Sequence, residues 1–187
     1  MYIQNNANEV LRTAPPIVLI PTATVVVANR DNHFHILVGK SSKHQGYVLP
    51  GGKIDQQDVQ SQRKRDWAET CIKRELNEEV GVQVSSLEFV GCFDREDADV
   101  RSITVECLKD TIVSMSLSHY PKSLLLAAHY GRPDYLFSAL VDPKDVRDSS
   151  ELFQFKWIDI REPLRISLSA GHENLLEEYL QYRREKS

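Results

Sequence analysis

The chain has 187 residues, of which 41% are hydrophobic and 27% charged, with a formal net charge of −4. That is enough for one domain with a substantial core and short for two. The acidic balance offers no general basic surface, so long nucleic acids are not favoured partners. Cys71, Cys92 and Cys107 are an odd set without Cys-x-x-Cys spacing. This argues against a disulfide framework and a structural zinc site, and fits a reducing cytoplasm. The first residues, Met1 to Arg12, are polar and Asn-rich rather than a basic-then-apolar signal. No apolar run approaches the roughly 18 residues of a membrane span, so a cytoplasmic chain with no membrane partner is expected.

Residues 1–16 read as an N-terminal arm ending at Pro15-Pro16, with the folded domain over 17–187. The arm is either disordered or packed on a partner subunit, which leaves a homodimer open. β-Branched residues dominate Ile17 to Ile20 and Thr22 to Ala28. Asn29-Arg30-Asp31-Asn32 supplies turn chemistry before the apolar run Phe34 to Val38, which predicts a hairpin. Tyr47-Val48-Leu49 predicts a short strand that delivers the chain into the glycine loop Leu49-Pro50-Gly51-Gly52. A helix is predicted from about Asp66 to Val80. Strands follow at Leu87–Phe93, Ile103–Cys107, Tyr135–Val141 and Phe153–Ile158, with a variable insertion, read as a helix pair, at residues 110–130. Ser169 with Glu173 downstream predicts a last helix from Gly171 to Glu185, whose apolar stripe is Leu175, Leu176, Tyr179 and Leu180.

The chemistry concentrates in Arg74-Glu75-Leu76-Asn77-Glu78-Glu79-Val80-Gly81-Val82. Residues three and four apart are neighbours on a helix, so Glu75, Glu78 and Glu79 crowd onto one stripe and repel by about 0.2–0.5 kcal/mol per adjacent pair. A bound divalent cation reverses that cost, and hard carboxylate oxygens without thiolates or a His pair favour Mg²⁺ or Mn²⁺ over zinc. Arg74 lies four residues before Glu78, the distance at which a guanidinium can fix a carboxylate's direction. Gly81 stands where a left-handed residue closes a helix.

These residues resemble the Nudix hydrolase family, MutT-like proteins whose signature can be written out. It reads Gly, five residues, Glu, seven residues, Arg-Glu, an aliphatic residue, any residue, Glu-Glu, any residue, Gly, an aliphatic residue. Arg74, Glu75, Leu76, Glu78, Glu79, Gly81 and Val82 match its second half, and Pro50-Gly51-Gly52 resembles its opening glycine loop. The middle departs from the pattern. Between Gly52 and Arg74 lie 21 residues where the signature has 13, eight extra. Asp58 has the correct spacing after Gly52 and Asp66 the correct spacing before Arg74, and neither is Glu. A helix continued backward through eight residues at about 100° each would put Asp58 roughly 80° from the Asp66 stripe, which favours Asp66 as the stand-in. Asp66 is itself about 900° of helix from Glu75, so it is expected to act as the helix N-cap and not as a metal ligand. The eight extra residues, 58–65, are expected before the helix.

The resemblance implies an α/β/α sandwich with a mixed sheet from about Thr22 to Tyr182. It also implies hydrolysis of the pyrophosphate bond in a nucleoside diphosphate linked to another moiety. Glu75, Glu78 and Glu79, with the backbone carbonyl of Gly52, are expected to hold Mg²⁺ or Mn²⁺, and Arg74, Glu75 and Glu78 to form the catalytic set. The proton acceptor is either Glu75 or a later loop acid, with Glu96, Asp97, Asp99 and Glu151 as candidates. Lys53, Arg95 and Arg101 are the expected cations for the pyrophosphate. Arg63-Lys64-Arg65 reads as a solvated turn or a grip on a longer polyphosphate. Trp157 and His172 read as packing residues. Sixteen residues beyond Val82 stands Ala98, with neither the Pro of ADP-ribose-preferring relatives nor the Tyr of diadenosine-polyphosphate-preferring ones within reach. ADP-ribose or another nucleotide sugar is favoured over oxidised nucleoside triphosphates. The alternative is a catalytically silent domain that binds nucleotides as a sensor.

Overall fold

The computed structural model describes residues 21–59, 63–95, 132–163, 165–169 and 171–186. The arm at 1–16, the strands expected at 17–20 and 103–107, and the insertion at 110–130 lie outside the described residues.

Among the described residues one seven-stranded sheet contains β1 (Thr22–Asn29), β2 (His35–Lys40), β3 (Tyr47–Val48) and β4 (Gly51–Lys53). It is completed by β5 (Glu88–Arg95), β6 (Arg132–Val141) and β7 (Phe153–Asp159), and covered by helices α1 (Lys64–Glu75) and α2 (His172–Lys186). The strand order is β3-β2-β1-β6-β5, with β4 also on β1 and β7 on β2. β1 and β6 run parallel from Thr22 opposite Asp134 to Asn29 opposite Val141, and the other pairs are antiparallel. The sheet is therefore mixed.

β1 is apolar almost without interruption because both its faces are covered. Every residue from Thr22 to Ala28 is buried. Alternation along the strand divides the core in two. Ala23, Val25 and Val27 share one cluster with Trp67, Ala68, Cys71, Ile72 and Leu76, while Val26 and Ala28 share the other with Leu175, Leu176 and Tyr179. One helix on each face makes the α/β/α sandwich. The expected turn is also present, with Asn29 Oδ1 accepting the N–H groups of Asp31 and Asn32. No described helix is long and apolar enough to cross a membrane.

Three local expectations are corrected. The N-cap of α1 is Arg63, which makes no side-chain cap bond, and Asp66 lies inside the first turn. Asp66 is therefore not the cap, although a carboxylate there still complements the helix dipole. Lys64 and Arg65 belong to the helix, and the Arg65 guanidinium lies 4.7 Å from the Phe89 ring centroid. Second, the last helix runs one residue later than expected, from His172 to Lys186, with the Ser169 backbone oxygen accepting the His172 N–H.

Third, the glycine segment is a strand and not a loop. Gly51 and Gly52 pair with Thr24 and Ala23 of β1. Gly51 has φ of +151°, and a Cβ there would stand 2.3 Å from the Ala23 carbonyl oxygen. Only a residue without a side chain lets the two backbones approach this closely. Gly51→Ala is expected to destabilise the fold by at least about 1–3 kcal/mol, the usual cost of a disfavoured backbone conformation, because backbone must also move. Urea denaturation would measure this, and an unchanged midpoint would contradict the pairing.

Candidate active site

Helix α1 presents its inner face through Trp67, Ala68, Cys71 and Ile72, so Arg74 and Glu75 fall at the edge where α1 meets β4. Arg74 is the junction. Its Nε and Nη2 donate to the two oxygens of Asp58 at 3.1 and 3.0 Å, a bidentate pair in which the Asp58 side chain is 1% exposed. Nη2 also donates to the Lys53 carbonyl, and Nη1 donates to Glu75 at 2.8 Å and Glu78 at 3.0 Å. Burial opposes the Arg74 charge, but the Asp58 hydrogen bonds and the Glu75 carboxylate hold its pKa well above the ordinary value. The favoured stand-in for the signature's first Glu is thereby corrected. Asp58 is the residue that meets Arg74, from a 3₁₀ turn at Gln56–Asp58, where the continuous-helix angle does not apply.

The three glutamates do not share one stripe equally. α1 continues through Leu76–Val80 as a π-helical turn, closed by Gly81 with φ of 75°. Such wider turns recur at functional sites. Glu75 is buried, Glu79 half-buried and Glu78 exposed. Glu79 Oε2 accepts the Gly51 N–H at 2.9 Å. A Cβ on Gly52 would stand 2.0 Å from Glu75 Oε1, so the Gly52 backbone lies directly against that carboxylate. Burial pushes the Glu79 carboxyl up to about 7, with the Glu75 and Glu151 charges adding to it and the Gly51 N–H opposing it. Burial likewise raises Glu75; Arg74 counters this, and Glu78 and Glu151 add to it.

These residues fit a hard divalent ion by donor chemistry. Each glutamate commits one oxygen to an internal donor, and the other takes no hydrogen bond among the described residues. Their mutual repulsion is what a cation relieves. The side chains are not gathered around one point, and no group of three His, Cys, Asp or Glu among the described residues is so gathered.

Two further charges stand at the rim. Lys43 Nζ and Glu151 Oε2 are 3.1 Å apart, and both act electrostatically on Glu75 and Glu79. Of the four candidate loop acids, Glu151 is the one among the described residues, and its charge acts on the cluster; Glu96, Asp97 and Asp99 lie outside them. Lys43 escaped the sequence reading, and 108 residues of separation left no local signal for it. Lys53 has its exposed side chain at the end of β4. Arg95 ends β5 opposite Arg132; its side chain and the whole of Arg101 lie outside the described residues. Trp157 packs against the α1-side core, opposite Leu37. A cleft of about 660 Å³ opens at the far end of β1, lined by Arg30, Leu140, Arg147 and Tyr179, and none of the glutamate cluster borders it.

No curated protein sequence matches the chain. Among solved structures, it resembles the NUDIX domain of Shewanella oneidensis NrtR, solved with ADP ribose, at 17% identity and a TM-score of 0.59, covering 93% of this chain and 96% of that one. It also resembles a MutT NUDIX hydrolase from Burkholderia pseudomallei, at 15% identity and a TM-score of 0.55, covering 85% and 96%. The MutT protein of Methanosarcina mazei Go1 gives 15% identity and a TM-score of 0.55, covering 90% and 95%. At these identities the likeness is one of fold. The NUDIX domain model, however, matches residues 18–179, a span that contains both the glycine strand and the Arg74–Glu79 turn packed against it, and the chain belongs to the Nudix family.

Proposed function

We propose that this protein hydrolyses the pyrophosphate bond of a nucleoside diphosphate linked to another moiety, with ADP-ribose or a related nucleotide sugar as the favoured substrate. The observation that carries this reading is the pair Glu75 and Glu79, desolvated against the glycine strand and each holding an uncommitted oxygen. Glu75, Glu78, Glu79 and the Gly52 carbonyl are the residues that would hold Mg²⁺ or Mn²⁺. A divalent ion held there would neutralise pyrophosphate oxygens and make a water molecule more acidic.

The protein's own groups do the rest. Arg74, fixed by Asp58, orients Glu75 and Glu78 through one nitrogen. Glu151 stands at the rim as the acceptor for the proton of the attacking water, and Lys43 and Lys53 offer positive charge to the phosphates. Water adds to phosphorus in line, the bond to the bridging oxygen breaks, and the leaving phosphate carries that oxygen away. ADP-ribose incubated with the purified protein and Mg²⁺ or Mn²⁺ is expected to yield AMP and ribose phosphate. Calorimetric binding of ADP-ribose without product would favour the silent sensor instead.

Glu79→Gln and Glu78→Gln are each expected to lower turnover a few hundredfold, about 3–4 kcal/mol of lost transition-state stabilisation, while the fold is kept. Wild-type rates in both variants, measured with saturating metal, would sink the site. Asp58 and Asp66 should separate sharply. Asp58→Asn removes a buried charge from Arg74 and is expected to cost about 1–3 kcal/mol and to reduce activity. Asp66→Asn in the first helical turn should cost less than about 1 kcal/mol and leave turnover near wild type. Urea midpoints and steady-state rates on the same preparations check this, and equal losses would contradict the assignment of Asp58.

A further inference from the structure

We propose that His172, the first residue of α2, is a positioning residue that holds the glycine strand in register for the reaction by accepting the Leu49 N–H. The inference rests on the hydrolase reading above and deepens it. Leu49 N–H donates to His172 Nδ1 at 3.2 Å across 123 residues of chain. Leu49 is 2% exposed and His172 7% exposed, so losing this acceptor strands a buried backbone donor. A residue that only filled space would leave that donor unpaired.

The position of Leu49 matters because of the three residues after it. Pro50 has no N–H, and its carbonyl accepts the Val25 N–H at 2.9 Å. The next donor, Gly51 N–H, is the one that meets Glu79, and the next residue, Gly52, lies against Glu75. The imidazole therefore grips the last backbone donor before the two glycines that touch the glutamates. β4 has only three residues on β1, and glycines add little rigidity of their own. Its entry point must be held from outside.

His172 is itself held. Its N–H donates to the Ser169 oxygen at 3.0 Å, and Tyr47 exchanges backbone bonds with Ser167 and Ser169 at 3.0 and 2.8 Å. The His44 ring stands edge-on to it, 6.1 Å between centroids. With Nδ1 accepting, the ring is the neutral tautomer with its proton on Nε2.

The test compares three variants of the full chain. In Asn, Oδ1 branches from Cγ as Nδ1 does in His; Gln carries its oxygen one methylene further out, and Leu has no acceptor. His172→Asn is expected to keep kcat within about threefold of wild type, whereas His172→Leu and His172→Gln lose about tenfold or more in kcat at nearly constant KM. Mn²⁺ affinity without substrate, followed by electron paramagnetic resonance, should weaken severalfold in Leu and Gln and not in Asn. Hydrogen exchange at the Leu49 amide should quicken in the same two variants. If the Leu variant does not fold, the contrast between Asn and Gln decides alone. A folded Leu or Gln variant with wild-type kcat and Mn²⁺ affinity, or an Asn variant as impaired as Gln, would overturn the proposal. If wild type turns over no substrate, the hydrolase reading fails, while Mn²⁺ affinity and Leu49 exchange still decide the role of His172.

Discussion

One guanidinium organises this site. Arg74 spends its planar fork on Asp58, Glu75, Glu78 and the Lys53 carbonyl, and so ties a 3₁₀ turn, a strand and two positions of the helix together. Lysine could supply the charge but not the geometry, because a bidentate hold on Asp58 with a third nitrogen left for the glutamates needs a rigid, multi-donor group. One cation among these carboxylates also leaves the cluster short of positive charge. The raised pKa of Glu79 comes first from its burial, and the Glu75 and Glu151 charges add to it.

The sheet explains why the deficit sits where it does. β1 gives its end to β2, through Ala28 opposite Ile36, and its start to β4, through Thr22 to Thr24. Two short strands thus share one flank of the central strand. Because Gly51 and Gly52 carry no side chains, the backbone, with its fixed dipoles, can press against Glu79 and Glu75. Backbone groups held this way need no reorganisation when charge develops near them. The sandwich supplies rigidity, and the glycines allow close approach.

Much of this arises from local pattern. The β-branched run from Thr22 to Ala28, the turn at Asn29 and Asn32, the apolar stripe of α2 and the left-handed Gly81 that closes the helix are each written within a few residues, and each appears where periodicity and spacing put it. The misses depend on assumptions about continuity or on distance in sequence. The choice of Asp66 over Asp58 assumed an unbroken helix, whereas a 3₁₀ turn and a separate helix start intervene. The single glutamate stripe assumed α-helical spacing through what is a π turn. Lys43 meets Glu151 over 108 residues and Leu49 meets His172 over 123, and no spacing rule reaches that far. The reading of the glycines as a loop missed that a strand can be made of residues chosen for having no side chain.

The eight extra residues between Gly52 and Arg74 look like a defect in the signature, and loop physics shows why they need not be one. With Asp58 as the partner of Arg74, the added length falls between two residues that the ion pair itself brings together. The connection grows from the family's seven residues to the fifteen of this chain, ten of which, Lys64 to Lys73, are helical; even a fully flexible doubling would cost only about 0.6 kcal/mol of closure entropy. A hydrogen bond to a charged group contributes about 1.5–3 kcal/mol, and Arg74 makes two to Asp58 in a nearly buried setting. The pairing therefore outweighs the longer loop. Substituting Asp for Glu shortens the arm by one methylene, and the 3₁₀ turn at Gln56–Asp58 brings the shorter carboxylate to the guanidinium. The relation that survives the insertion is the contact between the acid and Arg74, and the sequence distance between them is free to change.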